Sequence, residues 1–309
     1  MLDSVITTAQ QTAVLFVMMG FGVLARHLRI FDAETIRRFT EFLIKFITPC
    51  LIVSSFQRPC ESERIVSLGW TFAAAAAATI AAIFLSRAFI RAQDVRHRRA
   101  LEWAVVFSNC GYMGIPLEEA ILGPDGVFYG ISAIAVFNIF AWTYGVSMMG
   151  GAVGLKGFVK GALNPANVAV AVALPLFFAP WRLPFVMARP IESIGSLNTP
   201  IAMLVMGYYL ASAKFAPAFR CAATYAMLFM RHFAVPLMLL AVLWQCPFID
   251  RTARLAAIIP AAAPVGVLLT VFAVKYDCDA EFSTAVVAVS TVFSIITIPL
   301  VMAIAVALF

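Results

Sequence analysis

Two apolar stretches, far apart in the chain, are interrupted in the same way. The first reads Phe107-Ser108-Asn109-Cys110-Gly111-Tyr112-Met113-Gly114-Ile115-Pro116, and the second reads Ile259-Pro260-Ala261-Ala262-Ala263-Pro264-Val265-Gly266. Each sets Gly and Pro in the middle of a span otherwise apolar enough to cross a bilayer. In lipid an unsatisfied backbone N–H or C=O costs several kcal/mol, so an interrupted helix persists only inside protein or beside a watery cavity. A matched pair of interruptions is the pattern from which a substrate site at the bilayer midplane is read.

Composition sets the medium. Of 309 residues, 63% are hydrophobic and 12% charged, against about 25% charged in ordinary soluble domains. No polar stretch is long enough to fold alone. The N-terminus lacks the basic start of a signal peptide, so the first apolar run is read as a permanent span. Cys50, Cys60, Cys110, Cys221, Cys246 and Cys278 lie scattered in or beside apolar runs, without CxxC or zinc spacing, and read as free thiols. The net charge of +6 comes from basic residues in short loops. Arg96-His97-Arg98-Arg99 reads as a membrane-flanking anchor, and no domain exists to present it to nucleic acid.

About 20 apolar residues cross a 30 Å hydrocarbon core. The chain offers ten such spans, at roughly 5–25, 35–57, 65–90, 101–122, 126–150, 165–181, 191–212, 219–245, 253–275 and 281–308. Fifteen Lys and Arg residues fall in the odd-numbered loops and six in the even-numbered ones. The positive-inside rule then puts both termini outside the cytoplasm.

The halves repeat. Ile47-Thr48-Pro49 in span 2 matches Asn198-Thr199-Pro200 in span 7, at an offset of 151 residues, and Gly111 and Pro264 lie 153 apart. A unit of five spans is odd, so its second copy enters the membrane from the opposite side. The expected architecture is an all-α membrane protein of ten spans. Residues 1–150 and 165–309 form two inverted repeats, a cytoplasmic linker covers 151–164, and the broken spans 4 and 9 cross.

The interruptions suggest their chemistry. Pro116 removes a backbone donor, and Gly111 and Gly114 lower the cost of unwinding. A half-helix restarting near Pro116 presents free N–H groups and a partial positive charge, which attract an anion. Asn109 either donates its amide to a carboxylate or ties the unwound backbone together. Asn138, which shares a helix face with Trp142, lines the same cavity or bonds a neighbouring helix. Asn164 and Asn167 flank Pro165 as helix caps. Arg231-His232 is either a functional cation at depth or, the favoured reading, snorkels toward the cytoplasmic interface. Glu118 and Glu119, past the first break toward the outer face, either titrate or, the favoured reading, sit at the cavity mouth or interface. No adjacent Asp pair of the cation-antiporter kind occurs, no metal or cofactor motif is present, and no nucleophile–base motif points to an enzyme.

These residues resemble the auxin efflux carrier family, which includes plant auxin exporters and bacterial permeases for malonate and related acids. The likeness runs through Asn109 to Leu117, Gly123, Asn138 and Trp142, then Asn164-Pro165-Ala166-Asn167, Met230-Arg231 with Pro236, and Ala262 to Gly266 with Val271-Phe272-Ala273 and Tyr276. It covers almost the whole chain, without the large cytoplasmic loop of the long plant members. It implies a scaffold of spans 1, 2, 6 and 7, often dimeric, and a moving transport unit of spans 3–5 and 8–10. It also implies an anion site lined by Asn109, Asn138 and Asn167 at the crossing of Pro116 and Pro264. Departures are specific. Val265 stands where plant exporters carry Gln, Ile52 where they carry a polar residue, and Ala73–Ala78 where they carry an Asp–Lys pair. These departures argue against auxin itself.

The resulting expectation is an alternating-access carrier for a small carboxylate in a bacterial inner membrane. Its site is Asn109, Gly111, Gly114, Pro116, Asn138, Asn167, Pro264, Val265 and Gly266, and a proton is the candidate coupling ion. A sodium-coupled symporter is the rival, with Ser290, Thr291 and Ser294 as ligands. An intramembrane lipid enzyme is the third reading.

Overall fold

The computed structural model describes residues 2–151, 159, 163–179 and 181–309. Lys156, Lys160 and most of the expected linker 151–164 lie outside the described residues. Among those described, all regular structure is helical apart from one isolated bridge, Ser108 to Val265. The helices are α1 (Leu2–His27), α2 (Ala33–Phe42), α3 (Thr48–Ser55), α4 (Ser62–Phe89), α5 (Val95–Val106), α6 (Ile115–Phe140), α7 (Val146–Met148) and α8 (Pro165–Phe178). They continue as α9 (Phe185–Gly195), α10 (Asn198–Ser212), α11 (Ala216–Phe219), α12 (Ala222–Phe229), α13 (Val235–Trp244), α14 (Arg251–Ala262), α15 (Leu268–Lys275) and α16 (Ala280–Leu308).

Among the described residues six segments are long and apolar enough to cross a membrane: Ile6–His27, Ser62–Phe89, Cys110–Met148, Phe185–Ser212, Ala222–Trp244 and Ala280–Leu308. Cys110–Met148, at 39 residues, holds the end of expected span 4 and nearly all of span 5. It folds back at Gly123, whose φ of 68° lies in the region that only glycine adopts freely, and Pro124 opens the next helix. The other expected spans are short or interrupted.

The interruptions follow a rule. Three of the four π-turns among the described residues, Leu43–Ile47, Cys110–Gly114 and Met230–Ala234, are followed at the second residue beyond by Pro49, Pro116 or Pro236, and the fourth, Ala141–Gly145, by no proline. Proline lacks an N–H and clashes with the carbonyl four residues back, and a π-turn widens the helix where that bond would have formed. A proline in mid-span thus bends these helices without ending them.

Helix starts are capped by short polar side chains. Asp32, Asp94 and Asp279 accept backbone N–H bonds from Thr35, Arg96 and Phe282 at 2.7–2.8 Å, which hold their carboxyls below the usual range. Asn164 caps α8 through Ala166 N–H at 2.8 Å, as its place before Pro165 predicts. The six cysteines are free thiols.

Backbones approach closely where α1, α3, α9 and α10 meet. A Cβ on Gly22 would strike the Leu204 carbonyl, one on Gly207 the Met19 carbonyl, and one on Gly195 would sit 3.0 Å from the Leu51 backbone. Small residues at such points let membrane helices pack without an aqueous driving force. Thr48 Oγ1 donates to Asn198 Oδ1 at 3.2 Å, joining the two proline-marked positions of spans 2 and 7.

Candidate functional site at the helix crossing

The two interrupted spans meet. Between α5 and the Cys110–Gly114 turn, residues 107–109 are non-helical, and residues 263–267 separate α14 from α15. These pieces pair antiparallel: Asn109 N–H donates to Pro264 O at 2.7 Å, and Gly266 N–H to Phe107 O at 3.0 Å. Each break thus satisfies the other's backbone, which is what irregular chain at membrane depth requires. A Cβ on Gly266 would lie 3.0 Å from Ser108 O, so any larger residue would press on the paired Ser108 backbone.

The second half of span 4 restarts at Cys110, six residues earlier than the expected restart at Pro116. Pro116 lies buried inside the resumed helix, past the π-turn. Asn109, 3% exposed, is the cap. Its Oδ1 accepts Tyr112 N–H at 3.2 Å, and its carbonyl accepts Met113 and Gly114 N–H at 3.1 and 3.0 Å. Its amide nitrogen faces only the Met206 sulfur, at 3.5 Å, a weak acceptor. Asn109 therefore ties the break and still carries donors. Beside it Gly111 is half-buried, and a Cβ there would meet nothing within 4 Å. Asn138 and Asn167 form a second group, with Asn138 Nδ2 donating to Asn167 Oδ1 at 3.1 Å. Val265 is held from the other side, its N–H donating to Ser290 Oγ at 3.0 Å.

The sequence reading placed Arg231 and His232 at the interface. Instead Arg231 is 2% exposed and His232 fully buried, both at the crossing. Arg231 donates to Val105 O at 3.1 Å and to Ala261 O. These carbonyls belong to the last turns of α5 and α14, the two half-helices whose C-terminal ends converge. Each such end carries about half a negative elementary charge, so one guanidinium balances the pair. His232 Nε2 lies 2.9 Å from Ser290 Oγ, and its Nδ1 2.9 Å from Thr297 Oγ1. His232 thus links the residue that holds Val265 to a second turn of α16. A cavity of about 40 Å³ beside Arg231 is lined by Thr79, Ser108, Phe137 and Pro260. It has room for water beside the crossing. The signal that marks Arg231 was present in the chain: it stands near the centre of span 8 and five residues before Pro236.

Thr291 and Ser294 spend their hydroxyls on the Val287 and Thr291 carbonyls of their own helix, at 2.8 and 2.6 Å. Among the described residues no cluster of His, Cys, Asp or Glu could hold a metal ion.

A multi-pass helical membrane protein whose two broken helices pair at a crossing and present opposed half-helix ends has the architecture of a transporter. The family described as membrane transport protein matches residues 7–155 and 151–302. The chain belongs to that family, which includes the auxin efflux carriers. No curated protein matches the chain.

Proposed function

We propose that this membrane transporter carries a small organic anion, a mono- or dicarboxylate of the malonate class, by alternating access. The reading comprises ten spans in two inverted five-span repeats, 1–150 and 165–309. Spans 1, 2, 6 and 7 are the scaffold, through which two copies associate, and spans 3–5 and 8–10 move. The protein sits in a bacterial inner membrane with both termini outside.

One observation carries the choice of solute. Four half-helix ends converge at the crossing. Arg231 neutralises the two C-terminal ends. The two N-terminal ends, at Cys110 and Leu268, have no acidic side chain set against them among the described residues, and they sum to about one positive charge. A single carboxylate completes the balance, with the Asn109 amide as a further donor.

The same observation disfavours the sodium-coupled reading. In crossed-helix carriers sodium is held by unwound carbonyls and half-helix C-terminal ends, and here a guanidinium already occupies them. Uptake is expected to be unchanged when sodium is replaced by choline. The buried Ser290–His232 pair revives no enzyme reading, because Ser290 Oγ also accepts the Val265 amide and neither residue lines the cavity.

The test is uptake of radiolabelled malonate, succinate and pyruvate into proteoliposomes. Asn109→Ala removes one hydrogen bond to a charged group, about 1.5–3 kcal/mol, so uptake is expected to fall roughly 10- to 100-fold while the protein still folds and inserts. Wild-type uptake by that variant rejects the role of Asn109, and no uptake of any acid by the wild type rejects the solute class.

Alternating access needs contacts that open. Arg58, at the end of span 2, pairs with Asp125 and donates to Pro124 O at 3.0 Å, both at the start of span 5. Arg64 joins Asp125 at 3.4 Å, and Thr199 Oγ1 donates to Glu119 at 2.5 Å. The Arg58 and Thr199 ties join scaffold to moving unit on the outer side, and Arg64 braces Asp125 from within the moving unit. Asp125 is half exposed, so Asp125→Asn is expected to cost under about 1 kcal/mol of stability. Exchange of labelled solute is nonetheless expected to change several-fold, because the barrier between states is set there. Unaltered exchange with an unaltered melting temperature excludes the pair as a gate.

A further inference from the structure

Glu118 is the most isolated polar side chain among the described residues. It is 1% exposed, and neither carboxyl oxygen has a hydrogen-bond partner. It lies one turn beyond Gly114, on the half-helix that Asn109 caps, and its carboxyl sits directly over the Cα of Gly130 on the returning helix. A Cβ on Gly130 would overlap the carboxyl carbon and both oxygens, so the chain keeps a space that this group alone fills.

The charged groups of the surrounding elements are engaged elsewhere. Arg58 and Arg64 bind Asp125, and Glu119 accepts from Thr199. Arg254 of α14 lies over the Phe309 ring at 4.5 Å, its buried Nε without a hydrogen-bond partner; Arg251 of the same helix is exposed, and Arg87 of α4 lies over Tyr144 at 5.4 Å. Arg26 of α1 donates to Ser212, and Arg231 holds the two carbonyls. Glu63 of α4 is exposed. On its own helix Cys110 offers only a neutral thiol. A carboxylate without donor or cation costs many kcal/mol in such surroundings, so Glu118 rests here as the acid. An apolar side chain of similar volume would fill the space without that demand, and an ionisable residue inside the membrane is read as functional by default.

We propose that Glu118 binds the proton that accompanies the carboxylate through the carrier. Loss of that proton, COOH to COO⁻, puts a negative charge on the half-helix whose N-terminus faces the anion. Its gain removes that charge. Proton and anion therefore favour each other's binding, and by linkage the two effects are equal. This rests on the carboxylate reading above.

The test compares wild type with Glu118→Gln, a permanently neutral near-isostere. In proteoliposomes labelled malonate is driven by an imposed pH gradient, and separately exchanged at equal pH on both sides. The expected result is that gradient-driven accumulation falls at least tenfold in the variant while exchange stays within about twofold. A variant that still accumulates malonate with the gradient overturns the proposal. Infrared difference spectra of the purified protein supply a readout independent of transport: the C=O stretch of a protonated carboxyl, present in wild type, lost in Glu118→Gln and shifted in Glu118→Asp. Its absence from wild type also overturns the proposal. If wild type moves none of the acids, the carboxylate reading fails, and the infrared band still decides the protonation of Glu118.

Discussion

Arg231→Met is expected to lower the melting temperature of the purified protein by roughly 4–24 °C. The substitution keeps the bulk of the side chain and strands two buried carbonyls, Val105 O and Ala261 O. Each stranded carbonyl costs about 1–3 kcal/mol, and each kcal/mol is worth about 2–4 °C in a chain of this size. The loss is electrostatic as well. Without the guanidinium two helix C-terminal ends face one another across the crossing with no counter-charge, near the proposed anion site. Arg231→Lys keeps the charge but presents no planar fork to two carbonyls in different directions, so its loss should be about half as large. Sodium should then matter where it did not before. If the guanidinium stands in for a cation, high sodium should raise the melting temperature of Arg231→Met and leave wild type unmoved. A Met variant that melts with wild type removes Arg231 from the architecture of the crossing and removes the charge argument for the solute.

The pairing of the breaks was legible because it is a property of composition in lipid. Gly and Pro in the centre of two apolar runs leave backbone groups that only another unsatisfied segment can answer. Residues 107–109 and 264–266 do answer each other. The place where the helix resumes was not legible. Proline normally marks a first helical turn, but the π-turn at Cys110–Gly114 absorbs Pro116 and moves the start to the Asn109 cap. Arg231 was misplaced because charge alone argues for the interface. What keeps it inside is a pair of helix C-terminal carbonyls from spans 4 and 9, contacts remote in the chain. Glu118 shows the same limit. Its neighbour Glu119 meets Thr199, whereas Glu118 turns inward onto Gly130, and nothing in the spacing of two adjacent glutamates distinguishes them.

Gly207→Val is expected to be the most damaging single substitution at a helix–helix contact. A Cβ at Gly207 would collide with the Met19 carbonyl and sit 2.9 Å from both Gly22 Cα and Val23 N, all backbone atoms of α1. Flexible side chains can step aside, but backbone carbonyls already bonded within a helix cannot. The only relief is separation of α1 from α10, and Gly22 meets the Leu204 backbone at the same contact, so both helices lose their registration together. Association of membrane helices rests on dispersion contacts that fade within an ångström of separation, and no hydrophobic gain in lipid offsets their loss. Overpacking of this kind costs about 1–3 kcal/mol where side chains can yield, and more where they cannot. Gly207→Val should therefore fail to give folded protein in detergent, and Gly207→Ala should melt well below wild type. Gly20, on the same helix but with nothing within 4 Å of its built Cβ, supplies the control: Gly20→Ala should melt at or above wild type, since alanine is the better helix former by about 1 kcal/mol. Equal melting of the Gly207 and Gly20 alanine variants would mean that α1 and α10 do not touch through their backbones.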